Sequence, residues 1–590
     1  MHTARRSLQV MADVRVDAQP SPCYPALSST HRIRMLHLAP GSGEEPITGK
    51  LECIDHESNG PVYDALSYEW GSSEKEHTIH LEYGLSVRIT KSLHQALQDL
   101  RYEGASLGSR TIWADGICIN QDDVNERQQQ VSIMGSIFRN ASRVVTYTGP
   151  ETRDSSLAID FAYRLWAYCV AQGDVHCPQL HMMDEIVETG FPPLIDPCWK
   201  ALKMLLLRGW AGRSWCAQEF LLNRNLILMC GRREIEEWYL LPGIVQEVFN
   251  RALPSFLLPN ADEDPNSLRE CLVMLFRLRS GNKKFTLLEL LEQLHPLQAT
   301  DPRDKVYSAL NLATDREDLS LSVDYICSAE ELYTAVAARI VSCSPSLDIL
   351  YSCLGTKSFN LPSWVPDWST WRFGTHGTLV DFCYSACADS SPHLQVDTSG
   401  SELNVAGCLV DKLADLSEGV GQYYTGNAEQ PDHPGRPAWL IKERKRVMQL
   451  QPYPNGTPAI EVLWRTLIGN VTFYEEEADG TYAHYFYAHL NLNDDSSTTA
   501  RDMAREYRAA ARRRSRYRCL GTTEKGYFGA VPDTARPGDW VCMFEGCQLL
   551  FVVREAGGKF SLLGPAYVHG LMNGEVFQMD DYTRRTITLI

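Results

Sequence analysis

No run in the 590-residue chain approaches the roughly 18 consecutive apolar residues that a membrane-spanning helix needs, so no membrane span is expected. The N-terminus carries Arg5 and Arg6, but Asp13 and Asp17 break up the stretch where a secretory signal would place its apolar core. That excludes such a signal and predicts a cytoplasmic protein. The 18 cysteines include no C-x-x-C pair; the closest sets are Cys383/Cys387 and Cys542/Cys547. Neither has a second matching pair or a spaced histidine pair, so no zinc site is expected and the thiols read as reduced and buried. Positive charge is in deficit: 56 Lys and Arg against 74 Asp and Glu give a net charge of −18. That balance argues against nucleic acid as a partner. No G-x-G-x-x-G or G-x₄-G-K-[ST] opens a helix after a strand, so phosphate binding by such a loop is unsupported. Internal repeats and long low-complexity runs are also missing, and nothing calls for a metal or a resident cofactor.

What remains has the composition of a globular protein, 44% hydrophobic and 22% charged, and a length suited to two to four domains. Its organising stretch runs from Thr111 to Gly149. Two short apolar runs, 111–115 and 143–147, flank a helical stripe of Val131, Met134, Phe138 and Ala141. Strand, helix and strand over this length predict a βαβ unit with parallel strands. Asp115, Asn120 and Gln121 then fall after the first strand, on the edge where open α/β sheets bind ligands. Around this unit, 33–38, 63–68 and 225–230 read as strands, with Ser92 capping a helix that carries Leu93, Ala96, Leu97 and Leu100. The predicted order is a disordered segment 1–34, an α/β domain with a mostly parallel sheet over 35–235, and a mainly helical region 236–420. A linker at 421–437, a charged helical segment 438–524 and a β-rich module 525–590 complete it. The region after 235 is not expected to complete the α/β core.

Several motifs resemble those of the fungal heterokaryon-incompatibility (HET) domain: Tyr63-Asp64-Ala65-Leu66-Ser67-Tyr68-Glu69-Trp70-Gly71, Ile112-Trp113-Ala114-Asp115-Gly116-Ile117-Cys118-Ile119-Asn120-Gln121, Glu126-Arg127 with Gln130-Val131 and Met134, and Arg208-Gly209-Trp210 through Ser214-Trp215 to Gln218-Glu219. The resemblance is dense over 60–225 and looser through 300–307, 361–368 and Tyr567-Val568-His569-Gly570. It implies an effector that triggers or regulates incompatibility and cell death, with a protein partner or self-association. The HET domain is in turn similar to TIR domains, which are flavodoxin-like sheets, some of which hydrolyse NAD⁺ through a glutamate in an S-x-W-C-x-x-E-L motif. Here Trp215, Cys216 and Glu219 keep that spacing, while Ser214 adjoins Trp215 directly and Phe220 replaces Leu. The resemblance therefore implies Glu219 as the catalytic carboxylate. Ser67, Trp70, Asp115, Asn120, Gln121 and Trp215 would be its NAD⁺-contacting neighbours, NAD⁺ entering as substrate.

Each residue also has a plainer reading. Glu219 suits a salt bridge to Arg208 or Arg213 that holds a helix to the sheet, and its apolar neighbours imply burial that demands a partner. Asp115 suits a turn cap shared with Asn120, and Glu126-Arg127 a fixed ion pair. Trp70, Trp113 and Trp215 suit either ring stacking or the core. Cys118 and Cys216 have no histidine base placed by any motif and read as core thiols. The eight arginines of 501–518 read as a solvated helix paired with Glu475, Glu476, Glu477, Asp479, Asp494 and Asp495. The competing function for the α/β domain is a non-catalytic assembly module.

Overall fold

A computed structural model describes residues 23–590 apart from 30, 57–61, 105–106, 173–189, 250–256, 258–267, 282, 345, 371–383, 398–399, 425–435 and 493–495. The N-terminal part is a nine-stranded sheet. Its strands are β1 (Arg32–Leu38), β2 (Thr48–Asp55), β3 (Asp64–Tyr68), β4 (His77–Leu81), β5 (Ser86–Ile89), β6 (Arg110–Trp113), β7 (Arg143–Gly149), β8 (Leu226–Cys230) and β9 (Arg233–Ile235), in the order β5-β4-β2-β1-β6-β3-β7-β8-β9. The centre, β6-β3-β7-β8, is parallel throughout. Its strands read as nearly continuous apolar runs because helices cover both faces; all five residues of β8 are buried. Antiparallel joins flank it, β1 on β6 and β2, β5 on β4 and β9 on β8.

Helices α1 (Lys91–Leu100), α2 (Asp115–Cys118), α3 (Val124–Asn140), α4 (Ser155–Gln172), α5 (Pro197–Leu206) and α6 (Cys216–Leu221) connect these strands. Helix α3 starts where Asp123 accepts from the Asn125 and Glu126 amides, and it buries Val131, Met134 and Phe138. Its Phe138 ring meets Trp113 edge-on at 5.4 Å. Strands β6 and β7 are parallel as expected, but β3 lies between them. The insertion sets the C-terminal end of β3 beside that of β6. The expected apolar face of α1 is buried, but its cap is Thr90, which accepts from the Leu93 amide. Ser92 instead donates to the Trp70 carbonyl at 2.5 Å.

The helical middle region is packed into the same core as the sheet. Helices 268–280 and 304–310 lie directly against α6, whose Cys216, Ala217 and Phe220 are fully buried. Arg279 donates to the Phe220, Asn223 and Arg224 carbonyls at the end of α6 and covers the Trp238 ring at 4.8 Å. The expectation that residues past 235 are dispensable for the α/β core is therefore corrected, because α6 gets its second face from them.

The C-terminal part is a closed antiparallel barrel. Strand β10 (Leu394–Val396) leads into the long β11 (Leu403–Gly419), followed by β12 (Arg518–Thr523), β13 (Phe528–Pro532), β14 (Trp540–Phe544), β15 (Leu550–Ala556), β16 (Lys559–Val568) and β17 (Arg585–Leu589). The first half of β11 pairs with β14 and its second half with β12, which closes the ring β11-β12-β13-β16-β15-β14. Closure leaves the ring without a free strand edge. The barrel thus draws on 403–419 as well as 518–568, and 421–437 falls largely outside the described residues. Helices 436–448, 459–467, 483–490 and 498–515 are inserted between β11 and β12 and form a second, smaller core. Among the described residues no helix is long and apolar enough to cross a membrane.

Candidate functional site

The C-terminal ends of β3 and β6, together with the start of α6, gather a small acid–base cluster. Ser67 and Tyr68 are adjacent on β3 and so project to opposite faces of the sheet. On one face Ser67 Oγ donates to Glu219 Oε2 at 2.5 Å. On the other, the Tyr68 hydroxyl lies by Gly116, where a Cβ would come within 2.4 Å of it. Only glycine fits beside Asp115 for that reason. Arg213 links the two sides: it donates to the Tyr68 carbonyl and reaches Glu219 Oε1 at 3.4 Å. Asp115 accepts from Trp70 Nε1 at 3.0 Å and from the Gly116 amide at 2.7 Å.

Glu219 is 3% exposed, so its carboxylate is closed off in this state, with Ser67 and Arg213 as its hydrogen-bond partners. Burial raises its pKa, while Arg213 and the Ser67 hydroxyl pull it back and nearby Asp115 adds to the rise. Asp115 follows the same pattern: burial raises it, and Arg213, Trp70, Gly116 and Tyr68 oppose. Burial works against the Arg213 charge, but Glu219 and Asp115 outweigh it and hold the guanidinium firmly protonated. The cluster is two raised acids sharing one cation.

The other expected residues divide around it. Gln121 donates through Nε2 to the Asp115 carbonyl at 2.9 Å and so supports the turn. Asn120 gives its amide to Glu126 Oε1 at 2.6 Å. Glu126 does not pair with Arg127; it forms a two-pronged bridge to the buried Arg34 at 2.5 and 2.9 Å. Arg127 instead lies over the Tyr325 ring at 4.4 Å. Trp70 is half-buried beside Asp115, whereas Trp215 turns its Nε1 to Asp304 at 3.2 Å, and Trp113 is wholly core. Burial pushes Cys118 up to about 12 and Cys216 well above the ordinary thiol range, so neither is a thiolate nucleophile. The arginine run is only partly solvated. Arg505 and Arg513 pair with Asp502 and Glu475, but Arg514 and Arg518 are 3% and 2% exposed.

Two partners were not singled out from sequence. Tyr68 sits inside the first motif, yet nothing local shows that its ring crosses to Asp115. Asp304 lies 85 residues beyond Glu219 in the chain but meets α6 through Trp215. Gln218, next to Glu219, donates to the Tyr307 and Ser308 carbonyls at 3.1 and 2.8 Å and accepts from Asn311 at 3.2 Å. Helix 304–310 therefore clamps α6 from the side away from the sheet.

Known proteins divide along the same lines as this chain. Residues 63–219 match the family described as Heterokaryon incompatibility protein (HET), and 459–590 match the Het-6 beta-barrel domain. Heterokaryon incompatibility protein 6, OR allele, from Neurospora crassa is 27% identical over 93% of this chain and 94% of its own length. No solved structure matches. Residues 63–219, which hold the acid–base cluster, thus form a HET domain, and residues 459–590 match a Het-6 beta-barrel domain.

Proposed function

We propose that this chain is an effector of heterokaryon incompatibility, held in a closed state in which Arg213 masks the working acid, Glu219. The observation that carries the reading is the buried Ser67–Glu219–Arg213 set at the C-terminal edge of a parallel sheet, where α/β folds place their ligands. Its chemistry suits cleavage of NAD⁺ at the nicotinamide–ribose bond. The C1′–N bond breaks with its electron pair going to the nicotinamide ring, and water supplies the new C1′–O bond and loses a proton. Glu219, freed of Arg213, steadies the ribosyl cation in between, as carboxylates do in glycoside cleavage. Trp70 and Asp115 border that edge and supply a ring face and an acceptor. The clamp from 304–311 onto Trp215 and Gln218 is the restraint an activating partner would release.

A second reading has an observation of its own. Glu219 is as well satisfied as a purely structural acid, which fits a non-catalytic module signalling through homotypic or partner contacts. Nicotinamide release by the full chain carrying Asp304→Ala, which frees Trp215 from the clamp, separates the two. In that background Glu219→Gln keeps the shape and removes the charge, so release should fall on the order of 10²- to 10³-fold. No release from either protein, or equal release from both, selects the assembly module.

A further inference from the structure

Far from the HET cluster, a cavity of about 210 Å³ opens between the inserted helices and the barrel. Three rigid pieces build it. Helix 459–467 brings Glu461 and Arg465, the tight loop closed by the Val471–Glu477 bridge brings Asn470 and Glu477, and the end of β16 brings Tyr567 and His569. The Tyr567-Val568-His569-Gly570 motif, which the HET cluster leaves unused, is its floor. Gly570 has φ +83°, and a Cβ there would meet Asn455 Nδ2 at 2.8 Å. The glycine keeps the rim open for Asn455.

The walls are held under strain. Of the six non-glycine residues with positive φ among the described residues, two, Asn470 (φ 59°) and Glu475 (φ 68°), line this cavity. Such conformations cost energy and persist where the surroundings enforce them, and they collect at ligand sites.

Charge selects the ligand. Of the four carboxylates at the cavity, Glu461 is paired with Arg465 and Glu475 with Arg513, which leaves Glu477 and Glu575 as the negative charge in excess. Arg465 is already committed to the wall: it donates to Glu461 at 2.8 and 2.9 Å, to Asn470 Oδ1 at 2.5 Å and to the Ala478 carbonyl. It has no free edge for an anion. His569 adds no positive charge, because burial, with Arg465 nearby, lowers it to about 4. Its Nδ1 meets the Tyr567 hydroxyl at 3.0 Å. Val471 and Met572 supply an apolar side for a short carbon chain.

We propose that this cavity is a binding site for a primary alkylammonium group, with the cation among Glu477, Glu575 and Glu461 and its carbon chain against Tyr567, Val471 and Met572. The group belongs either to a free diamine or to a lysine side chain of another protein.

The test is titration calorimetry on the full chain at pH 7. The probes are 1,4-diaminobutane, the uncharged 1,4-butanediol, inorganic phosphate, and a short lysine peptide with and without acetylation of its side-chain amine. Diaminobutane should bind while the diol and phosphate do not. Glu477→Gln and Glu575→Gln should each weaken binding at least tenfold, with Tm unchanged for the exposed Glu477. Glu555→Gln, at a distant barrel turn, should leave it unaltered. A lysine peptide that binds more tightly than diaminobutane and is abolished by acetylation identifies a protein source; the reverse order identifies a free amine. The proposal is overturned if wild type takes up no amine at millimolar concentration. Phosphate binding in its place, or equal amine binding to wild type, Glu477→Gln and Glu575→Gln, overturns it as well.

Discussion

At the scale of single residues, a buried acid sits where the helical middle region meets the HET domain. Asp304 accepts from Tyr325 at 2.6 Å and from Trp215 at 3.2 Å, yet burial raises it to about 6. In the unfolded chain it ionises near the ordinary aspartate value, so between about 4 and 6 the folded state holds a proton that the unfolded state has lost. Folding stability from this group therefore falls as pH rises through that window and is flat above it. Measured as the stability of wild type minus that of Asp304→Asn, by denaturant titration from pH 3.5 to 7.5, the difference should decline up to pH 6 and then level. A difference that grows with pH contradicts the assignment. Part of this cluster was legible in sequence: the HET and TIR resemblance singled out Glu219, Trp70 and Ser67 and the strand end singled out Asp115, and these meet in two short pairs, Ser67 with Glu219 and Trp70 with Asp115. What was not legible is direction. Ser67 and Tyr68 are neighbours in the chain, but the strand sends them to opposite faces, and only β3 lying between β6 and β7 decides what each one meets.

At the scale of elements, α6 is a six-residue helix that cannot stand alone, since so short a helix is unstable without tertiary packing. Its exit is held by Arg279, whose guanidinium caps three carbonyls and lies against Phe220 and Trp238 at 5.4 and 4.8 Å. Arg279→Ala should lower folding stability by about 2–4 kcal/mol, from the lost hydrogen bonds and the lost cation–π contacts. Arg279→Lys should recover only part of that, because lysine lacks the planar fork. Denaturant melts of both variants check this, and full recovery by lysine would show that charge alone matters there. Strands and helices with strong periodicity were readable from sequence, as with α1, α3 and β8. Pairing was not, since the insertion of β3 inside a βαβ unit leaves no trace in local spacing.

At the scale of the whole molecule, one long strand ties the two halves of the C-terminal part together. Strand β11 precedes β12 by about a hundred residues, but it alone closes the barrel by pairing with both β12 and β14. Composition suggested a β-rich module at the C-terminus; nothing local indicated that a strand beginning at Leu403 belongs to it, because the pairing is long-range. A fragment 394–590 should therefore be soluble, while 459–590, left with two open strand edges, should aggregate; sedimentation of the two lysates decides it. The larger claim is that the full chain, through Glu219, is the effector of an incompatibility response. The most direct measurement is cellular NAD⁺ and survival in a fungal host after induction of the full chain, wild type against Glu219→Gln, at matched protein levels. With wild type, NAD⁺ should fall and viability should be lost; with the variant, both should be preserved. Death that proceeds equally in both, with NAD⁺ unchanged, would contradict the claim.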